Sequence, residues 1–242
     1  MTTLQNILNE APLWGAGKVK SAVPLSGGLT NINYLIHTAN DRFVLRINNP
    51  NAARLGINRQ QELTILNTIK QHSFAPAIAY CCPQFNYLVS HYISGTSFAE
   101  KPATPAENEQ LRAIISSYQQ LSVSCNTLQY GEHLYGYYQT LQAENKLNAK
   151  LESDWQHFQP QLEKFEQSPW QAVLCHHDLI PANIIRCDSG LKIIDWEYAT
   201  NGHPCFDLLN SSVNNSKQER LDNTALQAII YWTERLWQAV QR

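Results

Sequence analysis

The 242-residue chain contains no run of about eighteen or more apolar residues, and Met1 to Trp14 lacks a basic start followed by an apolar stretch. A membrane-spanning helix and a secretory leader are therefore not expected, and the cytoplasm is the expected compartment. Basic residues are few and scattered: 18 Lys and Arg stand against 20 Asp and Glu, for a formal charge of −2. Without a basic stripe there is no electrostatic footprint for a phosphate backbone, so no nucleic-acid partner is expected. The six cysteines include no C-x-x-C pair, and adjacent Cys81 and Cys82 suit neither a zinc site nor an easy disulfide. Reduced, mostly buried thiols are the expectation. There is no internal repeat and no low-complexity tract. What remains is 43% hydrophobic and 16% charged, an ordinary globular composition with enough chain for one large domain or two small lobes.

Against that plain background one stretch carries chemistry. Cys175 to Arg186 reads Cys-His-His-Asp-Leu-Ile-Pro-Ala-Asn-Ile-Ile-Arg, followed by Leu191-Lys-Ile-Ile-Asp195-Trp-Glu-Tyr198 and closed by Phe206-Asp207. Phosphoryl transfer needs one carboxylate to accept or orient the proton of an attacking hydroxyl. It also needs a second carboxylate and an amide oxygen to hold the Mg²⁺ that spreads the charge of the moving phosphoryl group. His176, Asp178 and Asn183 fit H-x-D-x-x-x-x-N, and Asp195 follows a short apolar strand as the metal-binding Asp of that template does. His176 is expected to brace the loop, and small Ala182 lets the backbone bend beside Asn183. Asn and Asp in loops are ordinarily turn formers or caps, so the first motif alone decides little. The second Asp decides it. The 17 positions between Asp178 and Asp195 leave room for a loop, a strand, a tight Asp188-Ser189-Gly190 turn and a second strand.

These residues resemble the catalytic core of the aminoglycoside phosphotransferase and choline kinase superfamily. The string Ile194-Asp-Trp-Glu-Tyr-Ala199 is most similar to bacterial thiamine kinase and choline/ethanolamine kinase relatives. The resemblance implies an α+β, protein-kinase-like two-lobed fold. A small antiparallel β-sheet lobe with a helix, residues 1–93, would bind the nucleotide, and a larger, mainly helical lobe, residues 94–242, would carry catalysis and the acceptor. It implies ATP and Mg²⁺ as cofactors.

In chain order, Leu4, Ile7, Leu8 and Leu13 are spaced for a short amphipathic helix. Asn33–His37 and Arg42–Ile47 read as strands joined by an Asn40-Asp41 turn. Ser26-Gly-Gly-Leu-Thr-Asn31 precedes them. Gly-Gly between strands is commonly a hairpin turn; the resemblance makes it a phosphate loop, with Gly27, Gly28 and Asn31 as nucleotide contacts. Arg46 stands where related kinases carry the phosphate-gripping lysine, and as a permanent cation it can hold phosphate with two prongs. Its implied partner is Glu62, on a helical pattern with Leu63, Leu66 and Ile69 as the buried stripe. The strand Tyr87–Ile93 would run into the hinge that reads the adenine edge, which makes Ser90 and Tyr92 candidates.

Thr104-Pro-Ala-Glu107 has the capping-box pattern with Pro at the first helical position. Gly131 to Gln167 is spaced like one or two further helices, and Ala225 to Val240 like a last amphipathic one.

The acceptor is bounded by what is missing. Phe206-Asp207 arrives 12 positions after Asp195, too soon for the long segment with which protein kinases hold a peptide. Asp207 is implied to brace the catalytic loop from behind, and the acceptor is expected to be a small alcohol. Glu197, Tyr198 and Trp232 are the candidate acceptor contacts. Ring faces bind permanent cations such as choline or thiamine, although Trp232 and Trp237 also fall on an ordinary helix. Relatives carry a carboxylate seven positions after Asp207, where this chain has Asn214. An aminoglycoside or sugar kinase is the alternative enzyme, weakened by a late chain with only Glu219, Asp222 and Glu234. A nucleotide-binding protein that keeps the fold without turnover is the alternative outside catalysis.

Overall fold

The computed structural model describes residues 4–10, 14, 18–25, 30–211 and 223–241. Gly27, Gly28 and Asn214 lie outside the described residues. The chain divides into two compact units, Met1–Ser97 with Ile184–Glu197, and Phe98–Asn183 with Tyr198–Arg242. The architecture is the expected one, an N-terminal antiparallel sheet followed by a helical region.

In the first unit β1 (Ser21–Leu25), β2 (Ile32–His37), β3 (Arg42–Ile47), β4 (Ile78–Cys81) and β5 (Tyr87–His91) form an antiparallel sheet in the order β1-β2-β3-β5-β4. Residues directly opposite in such a ladder share a face, so the register sorts the sheet into two surfaces. One surface carries Ile36, Phe43, Leu45, Tyr87 and Val89 and is buried with Ile7 of α1 (Leu4–Glu10) and with Trp14. Each such side chain contributes roughly 1.5–3 kcal/mol over its exposed state. The other surface carries Arg46 in the row Leu25-Asn33-Arg46-Leu88, next to the row Val23-Leu35-Val44-Ser90.

Helix α2 (Arg59–Ile69) starts at Asn58, whose side chain accepts from the Gln61 N–H at 3.1 Å. Its buried stripe is Glu62, Ile65, Leu66 and Ile69, so the expected Leu63 lies at the margin and Ile65 takes its place. The strands β8 (Ile184–Cys187) and β9 (Gly190–Ile193) form the predicted hairpin, closed by the Cys187–Gly190 pair, with β6 (Thr96–Ser97) on its outer edge.

The second unit is built from α3 (Pro105–Gln119), α4 (Tyr130–Ala143), α5 (Ala149–Glu166), α6 (Phe206–Asn210) and α7 (Thr224–Gln241), with a ribbon of β7 (Val173–Cys175) and β10 (Thr200–Gly202). The capping box forms as written: Thr104 Oγ1 accepts from Glu107 N–H, and the Glu107 carboxylate from Thr104 N–H at 2.7 Å. Aromatic rings fill the interior between α5 and α7, with Phe158 and Trp232 stacked at 5.3 Å and Trp155 edge-on to Trp232 at 5.4 Å. No disulfide joins the six cysteines; only Cys82 and Cys175 are buried, so burial is less general than composition suggested. Among the described residues no helix is long and apolar enough to cross a membrane.

Candidate active site

The residues of the first unit form a buried network of charges. Arg46 Nη2 bonds the Glu62 carboxylate at 2.7 Å, and its Nε donates to Asn48 Oδ1 at 2.9 Å. Its Nη1 lies 3.4 Å from Asp195 Oδ1 and 3.9 Å from Glu197 Oε2. Burial works against the Arg46 charge, but Glu62, Asp195 and Glu197 outweigh it and leave the guanidinium above its ordinary range. It stays a cation at any working pH.

Glu197 is deeply buried, and its Oε2 accepts from Arg59 Nη1 and from Asn31 Nδ2, each at 2.7 Å. Asn31 Oδ1 in turn accepts from Arg59 Nη2 at 2.8 Å and from Asn49 N–H at 3.2 Å. Asp195 ends the hairpin in a left-handed conformation, φ 65°, and is 36% exposed. Trp196 behind it anchors the turn, with Nε1 donating to Ile193 O at 3.0 Å. Ser90 shares the face of Arg46; Tyr92 lies beyond β5 with the Arg42 guanidinium 4.7 Å over its ring.

The second unit holds the loop from His176 to Asn183 by neutral hydrogen bonds around one carboxylate. Asp207 is fully buried; Oδ2 accepts from His176 N–H and from Tyr118 O–H at 2.7 Å, and Oδ1 from His177 N–H at 3.0 Å. Burial pushes the Asp207 carboxyl up to about 6, and its three donors limit the rise. Burial, then Asp207, pushes the Tyr118 hydroxyl well up, so it remains a donor. The Asp178 N–H donates to His176 Nδ1 at 3.2 Å, which places the ring proton of His176 on Nε2.

His177 has a left-handed backbone, φ 62°, a conformation that L side chains rarely take without support. Its support is aromatic. The Tyr130 hydroxyl accepts from His203 N–H at 2.9 Å and shares a hydrogen bond with His177 Nε2 at 3.1 Å, while Phe206 lies 4.6 Å from the ring. Burial, then His133 and His176, lowers His177 to about 3, so it is neutral. Gly202 is required here, since a Cβ would come within 2.4 Å of His177 Nε2 and 2.7 Å of the Tyr130 oxygen.

That frame presents two polar side chains. Asn183 is fixed by a 3₁₀ turn, Pro181–Asn183, and its Nδ2 donates to both Asp178 O and Asp178 Oδ2 at 2.9 Å. The amide oxygen is the end turned away from that carboxylate. Of the candidate acceptor contacts, Tyr198 accepts from Trp237 Nε1 at 2.8 Å, and Trp232 is 5% exposed in the helical core with Arg235 of this chain 4.7 Å over its ring. Arg59, Tyr118, Tyr130 and Gly202 were not singled out from sequence. Arg59 had a signal, standing three positions before Glu62 on the same helix; the others read as core or turn.

The chain belongs to the phosphotransferase enzyme family, whose pattern matches residues 21–241. It is 30% identical over 212 residues to Protein LicA of Haemophilus influenzae, covering 77% of this chain and 57% of that protein. It is 37% identical over 79 residues to the thiamine kinase of Shigella boydii, covering 32% of this chain and 28% of that protein. The chain thus spans well under two thirds of these relatives. Among solved structures, the choline kinase LicA from Streptococcus pneumoniae aligns with a TM-score of 0.74 at 22% identity, over 92% of this chain and 86% of that one. The aminoglycoside phosphotransferase APH(4)-Ia, solved with AMP-PNP and hygromycin B, aligns at 0.69 and 12% identity over 100% and 98%. These likenesses show a shared fold.

Proposed function

We propose that the chain is an ATP- and Mg²⁺-dependent phosphotransferase acting on the hydroxyl of a small alcohol of the choline, ethanolamine or thiamine kind. The observation that carries the reading is the sheet face of the first unit. A buried guanidinium, Arg46, held by Glu62 at 2.7 Å, stands among Val23, Leu25, Leu35, Val44 and Leu88, with Val23 and Leu25 exposed. A cation beside an open apolar platform suits a ligand with phosphates at one end and a flat ring at the other. The AMP and AMP-PNP complexes of structural neighbours support the same choice.

Each side chain then has a task. Arg46 grips phosphate oxygens, and Ser90 with Tyr92 lies toward the base. Asp178 orients the acceptor hydroxyl and takes its proton as the oxygen bonds to the terminal phosphorus and the diphosphate leaves. The His176 and Asp207 bonds hold Asp178 still for that step. The Asn183 amide oxygen and the Asp195 carboxylate are hard oxygen donors of the kind Mg²⁺ accepts, and Mg²⁺ commonly takes only one or two protein ligands beside waters and phosphates. When bound, the ion supplies charge neutralisation for the phosphates.

The test is ADP release from ATP and Mg²⁺ against choline, ethanolamine, thiamine, amino sugars and aminoglycosides. Turnover on a cationic alcohol that vanishes in Asp195→Ala, and falls by on the order of 10²-fold or more in Asp178→Ala, is the expected result. Full activity in Asp178→Ala removes that residue's role, and turnover confined to aminoglycosides overturns the acceptor class.

A further inference from the structure

Arg59 opens α2 in the polar stretch Asn58–Gln61, which reads as a solvated helix start. The structure buries it instead: its side chain is 10% exposed, and two of its nitrogens reach three partners. Nη1 donates to Glu62 Oε2 at 2.9 Å and to Glu197 Oε2 at 2.7 Å, and Nη2 donates to Asn31 Oδ1 at 2.8 Å. Asn31 Nδ2 closes the ring on Glu197 Oε2 at 2.7 Å. Two arginines therefore face three carboxylates, Glu62, Glu197 and Asp195, within one unit.

The consequence falls on Arg46. Its Nη2 and Nε are committed to Glu62 and Asn48 at 2.7 and 2.9 Å. Among the described residues its Nη1 has the longer approaches to Asp195 at 3.4 Å and Glu197 at 3.9 Å, so Nη1 is the end with capacity for an incoming anion. Were Arg59 uncharged, Glu197 would lose its shortest cationic partner in a setting of low effective dielectric, where an unpaired carboxylate is strongly drawn to the nearest cation. The nearest cation is Arg46 Nη1. A short Glu197–Arg46 bond there would occupy the atom that the nucleotide needs.

We propose that Arg59 is a positioning residue that keeps Arg46 open to phosphate, by holding Glu197 and Glu62 through its own guanidinium. The proposal rests on the phosphotransferase reading, because it gives Arg46 a nucleotide to grip. Arg59 itself touches no substrate. Asn31 and Glu197 serve in the same bracket: their side chains act on each other and on Arg59, and through them on Arg46.

The decisive measurement is the affinity for ATP by isothermal titration calorimetry, together with KM and kcat, in the intact chain and in Arg59→Gln, Glu197→Gln and the double variant. Loss of one charge-assisted bond predicts that Arg59→Gln binds ATP roughly 10- to 100-fold more weakly, raising KM more than it lowers kcat. The distinguishing outcome is the rescue. With Glu197 made neutral there is no competitor for Arg46, so the double variant binds ATP more tightly than Arg59→Gln alone, and the two substitutions are strongly non-additive. A merely structural Arg59 gives no rescue, because the double variant has lost more bonds. Arg59→Lys keeps the charge without the fork and falls between the intact chain and Arg59→Gln. Should Arg59→Gln not fold, the same rescue by Glu197→Gln is sought in Arg59→Lys.

A folded Arg59→Gln protein that binds ATP as tightly as the intact chain overturns the proposal, and so does a double variant no tighter than the single one. Failure of the intact chain itself to bind ATP overturns the phosphotransferase reading, and this inference falls with it. That result is separate from the other two, since they require an intact chain that binds.

Discussion

The candidate residues of the first unit and those of the second are held by opposite kinds of electrostatics. Around Arg46 the bonds run between ionised side chains: two guanidinium groups, three carboxylates and the Asn31 amide. Around Asp178 a single buried carboxylate, Asp207, gathers three neutral donors, and the neighbouring histidines are uncharged. The first kind fails when a charge is removed. The second holds one charge but depends on protons staying where they are.

The comparison breaks most sharply at Asp207. Asp207→Ala leaves two backbone N–H groups and the Tyr118 hydroxyl buried without their acceptor, at a cost of about 3 kcal/mol or more. Urea unfolding measures it, and a loss below about 1 kcal/mol would mean that the loop is held by something else. Asp207→Asn should recover little, because its amide nitrogen must point a donor at another donor. The matching change in the first unit, Glu62→Gln, keeps a hydrogen-bonding oxygen for Arg46 and is expected to disturb the fold less than it disturbs ATP affinity.

Acid is the next lever, and the signs can be worked out. Burial lowers His177 to about 3 and His133 to about 4, below their unfolded value of 6.5. The unfolded chain therefore binds more protons in this window, and stability present above pH 6.5 is lost as pH falls, by on the order of 2 kcal/mol per histidine at pH 5. Asp207 runs the other way: raised to about 6 from 3.8, it favours the folded chain as pH drops through that interval, by a smaller amount. Net loss of stability between pH 7 and 5 is expected, and it should shrink in His133→Gln. An unchanged unfolding midpoint across that range would contradict the assignment of neutral, buried rings.

Gly202→Ala tests the same cradle by volume. Its Cβ would meet the His177 ring and the Tyr130 hydroxyl, and overpacking of this sort costs about 1–3 kcal/mol. The smallest effect belongs to salt. The coupling between Arg46 and Glu62, measured by a double-mutant cycle, should change by less than about 0.5 kcal/mol between 0.1 and 1 M NaCl, because buried pairs are screened little.

Much of this was legible in the sequence, for definite reasons. Strands, capped helix and hairpin follow from apolar period and turn chemistry, and the Arg46–Glu62 pair could be sought because the helix after β3 offered one well-placed acid. The network beyond that pair was hidden. Arg59 looks like any solvated residue at a helix start, and only the return of the chain at Glu197 gives it a buried partner. His177 shows a different limit: nothing in a histidine announces a left-handed backbone, which is fixed by Tyr130, Phe206 and the empty space at Gly202. Trp232 was ambiguous between a ligand face and helix packing, and its ring lies in the packed core.

The hairpin Ile184–Glu197, which groups with Met1–Ser97 across the whole of α3, α4 and α5, also bears on how the protein is made. Arg59 meets Glu197 across 138 positions, and Arg46 meets Asp195 across 149. While the ribosome is still adding those residues, two guanidinium groups and Glu62 must wait without the acids that complete their bracket. At cellular elongation rates that interval is on the order of ten seconds. The sheet unit is therefore begun first in synthesis and finished late, and a nascent chain halted before residue 197 would carry a half-neutralised pair of arginines on an incomplete sheet domain, a form suited to a chaperone.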